Sequence, residues 1–285
     1  MSEGEDDERF VGVRRSAWSG GVAGALEDDL LAREEPLELR VAGAPLAVVM
    51  RTPGHDEELA RGFMLSEGIV AAASEIASAR HCTTVDEPEA EDNVMLIRLA
   101  EGVAVDLAAL RRNLYASSSC GVCGKASIAA VLAPGRAVLA GREGEPAADT
   151  PRISAALVEA LPERLREGQP VFARTGGLHA AGLFTAAGER LVVREDVGRH
   201  NAVDKVIGWA AITDTALTDK LLMVSGRVSF EITQKAAAVG VPILAAVSAP
   251  SSLAVDLATR AGMTLIGFAR GPRFCVYAGA ERLSP

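Results

Sequence analysis

LLMVSGRVSFEITQKAAAVGVPILAAVSAPSSLAVDLATRAGMTLIGFA (221–269) decides the fold. LLMVS (221–225), VPILAAVS (241–248) and MTLIGFA (263–269) carry short, continuous aliphatic runs, the signature of strands buried on both faces. The segments between them, Phe230 to Val239 and Leu253 to Ala261, are long enough for helices. Apolar strands alternating with helices at this spacing predict an α/β sheet covered by helices, with several parallel neighbours. Upstream, RLVVRE (190–195) adds a strand and the segment from about Asn201 to Ile212 a further helix.

The first half reads differently. LELRVAG and PLAVVMRT flank Gly43-Ala44-Pro45 and predict a β-hairpin. A helix follows Pro53-Gly54, because Asp56, Glu57 and Glu58 suit the positive end of a helix dipole. VMLIRLA (94–100) is a strand expected at the centre of a small α+β unit, after the acidic loop VDEPEAED (85–92). The chain therefore divides into an acidic, disordered extension (1–30), a small N-terminal α+β domain (31–115) and a C-terminal domain (116–285).

Three strand-to-loop junctions in the second half suit an anionic ligand: Ser225-Gly226-Arg227, Ser248 to Ser252, and Ala269 to Phe274. Ligands of open α/β sheets gather beyond the carboxyl ends of strands, and helix N-termini favour phosphate. Small hydroxyl residues with arginine at three such places point to a nucleotide or a dinucleotide-like group. Charge agrees. The whole chain is at −9, with 23 acids against 11 bases in residues 1–115, but 15 against 18 in residues 116–285. The surface as a whole repels nucleic acid and anionic membranes, while the second half is basic enough to hold one anion.

SSSCGVCGKASIAAVL (117–132) carries the reactive chemistry. Cys120 and Cys123 form a C-x-x-C ahead of a segment expected to be helical (126–132). A helix N-terminus and the charge of Lys125 both favour thiolate over thiol. A structural zinc site would need a second ligand pair that the sequence lacks. A zinc deaminase needs H-x-E, and Leu178-His179-Ala180-Ala181 has alanine in place of the glutamate. A thioredoxin-like exchanger lacks its strand context. Cys82 and Cys275 read as ordinary small apolar residues. His179, at a tight glycine turn, and Asp196, His200 and Asn201, at a strand–helix junction, are possible supporting residues in the cleft. The competing reading of that junction leaves Asp204 and Lys205 on a solvated helix face.

No apolar run reaches the ~18 residues of a membrane helix. The acidic MSEGEDDERF does not read as a secretory signal. A cytoplasmic protein with reduced thiols is expected.

Taken together, RTPGHDEELARGFMLSEGI (51–69), SSSCGVCGKASI (117–128), TGGLHAAGLF (175–184), REDVGRHNAVDKVIG (194–208), SGRVSFEITQKA (225–236) and GFARGPRF (267–274) resemble the FdhD/NarQ family of formate dehydrogenase accessory sulfurtransferases. The resemblance runs from about Leu37 to Leu283. It implies a C-terminal three-layer αβα domain similar to the cytidine deaminase fold, and a homodimer. It implies sulfur carriage: persulfide sulfur is accepted from a cysteine desulfurase and passed to the molybdenum (or tungsten) bis-guanine-dinucleotide cofactor, the acceptor substrate, for the client formate dehydrogenase. By motif match Cys120 carries the persulfide and Cys123 assists or substitutes. Phe268, Ala269, Arg270, Gly271, Pro272 and Arg273 lie at the guanine dinucleotide, for which a GDP-like nucleotide is expected to substitute. No zinc, nucleic acid or membrane is involved in that reading. The alternative is a non-catalytic chaperone that binds the cofactor and needs neither cysteine.

Overall fold

The computed structural model describes residues 8–84, 92–106 and 151–285. The segment expected to carry the cysteine loop and the helix at 126–132 lies outside them, as do residues 85–91 of the acidic loop.

The described C-terminal part is built on a six-stranded sheet. Its strands are β8 (His179–Thr185), β9 (Arg190–Asp196), β10 (Lys220–Val224), β11 (Ile243–Ala246), β12 (Thr264–Arg270) and β13 (Arg273–Ala278), in the order β13-β12-β11-β10-β8-β9. The three expected strands β10, β11 and β12 are parallel neighbours; the outer pairings are antiparallel. Alternation along these strands sends side chains to two cores. Leu222, Val224, Leu244, Ala246 and Leu265 pack under helices on one face, and Leu221, Met223, Ile243, Ala245 and Ile266 on the other. The helices are α2 (Ala155–Arg166), α3 (Pro170–Thr175), α4 (Arg199–Ile212), α5 (Phe230–Ala238) and α6 (Ser252–Arg260). Helix α2 covers one face through Leu157, Val158, Leu161 and Leu165; α4, α5 and α6 cover the other. The result is three layers. A short parallel pair, β7 (Ile153–Ser154) with β14 (Leu283–Ser284), ties the chain end beside α2.

The N-terminal part holds β3 (Glu35–Val41), β4 (Ala44–Arg51), helix α1 (Asp56–Ser66), β5 (Ile76–His81) and β6 (Val94–Leu99). The sheet order β4-β3-β6-β5 places the 94–99 strand inside it, as expected. The hairpin turn is Ala42-Gly43, both at positive φ, one residue earlier than the sequence suggested. Leu59, Phe63 and Met64 share the core with Leu37, Leu39 and Met95.

The extension is a correction. From Phe10 it is not disordered: β1 (Phe10–Ser19) and β2 (Val22–Ala32) form an antiparallel ribbon turned at Gly20-Gly21, both at positive φ. Two adjacent glycines supply the primed turn whose twist suits a hairpin. Much of the ribbon is exposed, with Trp18 at 71%. Its base is held where the Arg174 guanidinium stacks on the Phe10 ring.

The two units meet through α1 and α4, whose backbones touch. A Cβ at Gly62 would fall within 2.9 Å of Asp204 Cα, and one at Gly208 within 2.7 Å of Glu58 Cα. Only glycine permits that approach.

Candidate functional site

A cavity of about 650 Å³ opens at the carboxyl ends of the parallel strands. Ser225 follows β10, Val247 follows β11, and Ala269, Arg270 and Gly271 close β12. Antiparallel β8 starts at the same edge, so His179 joins them. Two of the three loops singled out in the sequence thus contribute directly, and the middle one lies beside them. The opposite wall is the α2–α3 corner, with Glu163, Arg166, Gln169 and Phe172.

Backbone hydrogen bonds stitch these loops into one surface. Ser225 N–H donates to Ala180 O (2.9 Å) and Ala180 N–H donates to Ser225 Oγ (2.8 Å). The Ser225 hydroxyl therefore extends the β8–β10 ladder. Phe268 N–H donates to Ser248 O (3.1 Å), and Arg270 Nε–H donates to Val247 O (2.9 Å). That tether fixes Arg270 at the rim while its terminal nitrogens have no partner among the described residues. Phe268 sits in a bulge at φ 52°, half-exposed beside Arg270. Ala269 differs from its neighbours: its side chain is fully buried in the core, so only its backbone faces the cavity. Pro272 and Arg273 turn into β13 outside the cavity lining, with Arg273 exposed. Arg227 is exposed on the neighbouring loop.

The His179 ring packs against Gly226. Burial lowers its pKa, and the charges of Arg199, His200 and Arg227 lower it further. A neutral imidazole amid arginines is the state expected where an anion is to arrive. Close by, Arg199 Nε is buried without a hydrogen-bond partner among the described residues. Each unmet buried group costs about 1–3 kcal/mol.

Asp196, His200 and Asn201 are not in this cavity. Asp196 is fully buried and accepts from Thr52 N (3.2 Å), Gly198 N (2.8 Å) and Asn201 Nδ2 (2.9 Å), with Lys205 Nζ at 2.7 Å. Asn201 Nδ2 also donates to Met50 O (2.7 Å). These residues clamp the N-terminal sheet to the C-terminal one. The imidazole of His200 lies 2.9 Å from Glu231, joining the first turns of α4 and α5.

The solvated-face reading of Asp204 and Lys205 fails as well, since both are 1% exposed. Lys205 Nζ donates to Thr52 O (2.8 Å). Asp204 accepts from Ser66 Oγ (2.6 Å) and Lys235 Nζ (2.8 Å), and Lys235 also pairs with Glu67 (2.6 Å). Burial alone would discharge Lys235, but the Asp204 and Glu67 carboxylates hold its ammonium well above the ordinary lysine range. Arg194 adds a two-pronged pair to Glu58 across the same junction (2.5 and 2.6 Å). Cys82 is partly exposed and Cys275 exposed, both as free thiols.

Sequence reasoning missed the α2–α3 wall. Its most informative residue is Gln169, 5% exposed at the N-cap of α3. Its carboxamide makes no cap hydrogen bond, because Glu195 takes the α3 amides instead, from Val171 N (2.9 Å) and Phe172 N (2.7 Å). No motif marks such a corner, which only tertiary packing brings to the strand ends. Cys120, Cys123 and Lys125 lie outside the described residues.

The described chain thus holds a three-layer α/β sheet with a cavity at its parallel strand ends, the position at which open-sheet proteins bind their ligands. The FdhD/NarQ family profile matches residues 32–284, and the chain belongs to that family. It is 52% identical over 261 residues to the "Sulfur carrier protein FdhD" of Streptomyces coelicolor, covering 90% of this chain and 89% of that one. It is 48% identical over 287 residues to the protein of the same name from Anaeromyxobacter dehalogenans, covering 95% and 96%. In fold it matches a crystal structure from Desulfotalea psychrophila, described as a formate dehydrogenase accessory protein. The TM-score is 0.76 at 23% identity, over 97% of this chain and 100% of that one.

Proposed function

We propose that this chain is a sulfur carrier for formate dehydrogenase maturation. The observation that carries the reading is its 52% identity, over nine-tenths of its length, to a protein named as a sulfur carrier. The Cys120 thiolate attacks the outer sulfur of a cysteine desulfurase persulfide. A Cys120 persulfide forms, and the donor cysteine leaves as thiolate. Release of the outer sulfur to the acceptor substrate, the molybdenum bis-guanine-dinucleotide cofactor, frees Cys120 as thiolate, the two electrons coming from the reduced metal of that substrate, whose phosphates the arginine-rimmed cavity would receive. Cys123 assists, and Lys125 favours the thiolate. Support for the anion comes from Arg270 at the cavity rim and from the unmet donor Arg199 Nε beside His179. A volume of about 650 Å³ suits one nucleotide arm of the cofactor. The three-layer order supports the likeness to the cytidine deaminase fold, and the homodimer and cytoplasmic setting belong to the same reading.

Incubation with a cysteine desulfurase and cysteine should add one sulfur to Cys120, read by intact mass, and Cys120→Ala should abolish both loading and formate dehydrogenase maturation. Full maturation by Cys120→Ala would overturn the assignment.

A further inference from the structure

We propose that a groove between the two units, at the far end of α4 from the strand-end cavity, docks the protein that donates the sulfur. Its occupant is an apolar helix of that donor bearing a lysine or arginine. The inference rests on the sulfur-carrier reading above and adds where the donor is held and by what chemistry.

The groove has a volume of about 710 Å³. The N-terminal unit supplies the end of α1 and the turn after it, with Ala71, Ala72 and Ala73; the C-terminal unit supplies Ala210 and Ala211 of α4 and Ala238 of α5. Alanine at each of these places leaves open the space that larger aliphatic side chains would fill. The backbone of another helix can therefore come close and lay its apolar face along these walls.

Charge selects the occupant. Among the described residues Glu67 and Asp214 are the charged groups in the lining, and no lysine, arginine or histidine joins them. Lys235, behind Glu67, is already committed to that carboxylate (2.6 Å) and to Asp204 (2.8 Å). Asp214 is exposed and makes no ion pair among the described residues. A second copy seated on the same face by two-fold symmetry would set these carboxylates against their own likeness. A helix whose apolar stripe is flanked by a cation is the complement.

Position assigns the donor. Helix α4 has 14 residues and is about 20 Å long. Its first residue, Arg199, stands beside Gly226 and His179 at the cavity, whereas Ala210 and Ala211 of its last turn wall the groove. A protein held in the groove leaves the cavity open, while a client that takes the cofactor must come to the cavity itself. The chain that leads on to Cys120 also passes the groove rim. Ala100 N–H donates to Glu75 O (2.8 Å), and the Glu75 carboxylate accepts from Ala71 N–H (2.7 Å).

The test follows sulfur loading of Cys120 in the full chain by intact mass, with two sources: a cysteine desulfurase with cysteine, over a range of desulfurase concentrations, and inorganic polysulfide. Ala72→Trp, at an exposed position, plugs the groove, and Asp214→Asn removes its free carboxylate; melting curves check both folds. Ala72→Trp should raise the desulfurase concentration for half-maximal loading about tenfold, with loading from polysulfide unchanged. Asp214→Asn should raise it about threefold at low salt, and the difference should close as salt is added. Parent-like loading by the desulfurase in Ala72→Trp would overturn the proposal, as would an equal loss with polysulfide. Self-association or formate dehydrogenase binding that Ala72→Trp abolishes, with desulfurase loading intact, would give the groove to another occupant and overturn it too. A parent that the desulfurase does not load would overturn the sulfur-carrier reading itself.

Discussion

Replacing Gly208 by alanine tests the joint between the two units. The new Cβ would lie 2.7 Å from Glu58 Cα and closer still to the Glu58 carbonyl, whereas unstrained carbon contacts lie near 3.5–4.0 Å. Helices α1 and α4 must then part by about 1 Å. Overpacking of this kind costs about 1–3 kcal/mol, and here the backbone, which cannot swing aside, absorbs it. Parting the helices also stretches the Lys205–Thr52 and Asp204–Ser66 bonds that cross the joint. Against this stands a gain of about 1 kcal/mol in helix propensity when glycine becomes alanine. The balance is a net loss near 1 kcal/mol, or a fall in Tm of roughly 2–4 °C for a chain of this size. Gly62→Ala makes the reciprocal clash with Asp204. Once either has opened the contact, the second costs less, so the double variant should fall short of the sum. Thermal unfolding followed by circular dichroism decides it. A Gly208→Ala protein that melts at or above the parent would refute the backbone contact, since propensity alone would then be showing.

Lys235→Met should cost about 3–5 kcal/mol, because it strands the buried Asp204 carboxylate. Burial already raises the Asp204 pKa, so without Lys235 the fold should prefer its protonated form, and the variant should regain stability as pH falls, seen in melts across a pH series. His179 has a lowered folded pKa, so its contribution is full above the ordinary histidine range and is lost as pH falls; His179→Asn should flatten that acid-side loss. A phosphate-bearing ligand should draw the His179 pKa back up, with proton uptake on GDP binding detected by calorimetry in buffers of different ionisation heat. Arg270→Ala should weaken GDP binding while leaving persulfide loading of Cys120 intact. For Arg270 the loss should be about tenfold, the worth of one charge-assisted hydrogen bond to phosphate.

The sheet was legible because LLMV, ILAA and TLIGF each bury both faces, and continuous aliphatic runs leave strands little alternative. The loops after them were legible for the same reason: where such a strand ends, its polar residues must sit at the sheet edge. The α2–α3 wall was hidden because Glu163, Arg166, Gln169 and Phe172 look like an ordinary helix end until α2 packs over the strand termini. Asp204 and Lys205 were misread because charged residues in a helix are normally solvated, and their partners Ser66 and Thr52 stand some 140 and 150 residues away in sequence. The ribbon could have been found: Gly20-Gly21 between two mixed polar–apolar runs is a hairpin signal, overshadowed by the acidic composition around it.

The charged clasp makes the two sheets one thermodynamic object. Opening the N-terminal unit alone would strip Asp196 of Thr52, Arg194 of Glu58 and Lys235 of Glu67, leaving charges in a dry joint. Subglobal opening there should therefore be about as costly as global unfolding, and amides of β3 and β6 should exchange with deuterium only when the whole chain opens. A molecule held at the strand ends of the C-terminal sheet would slow that exchange in the other sheet by its full binding free energy. The distant sheet becomes a reporter of occupancy, without any movement being passed between them.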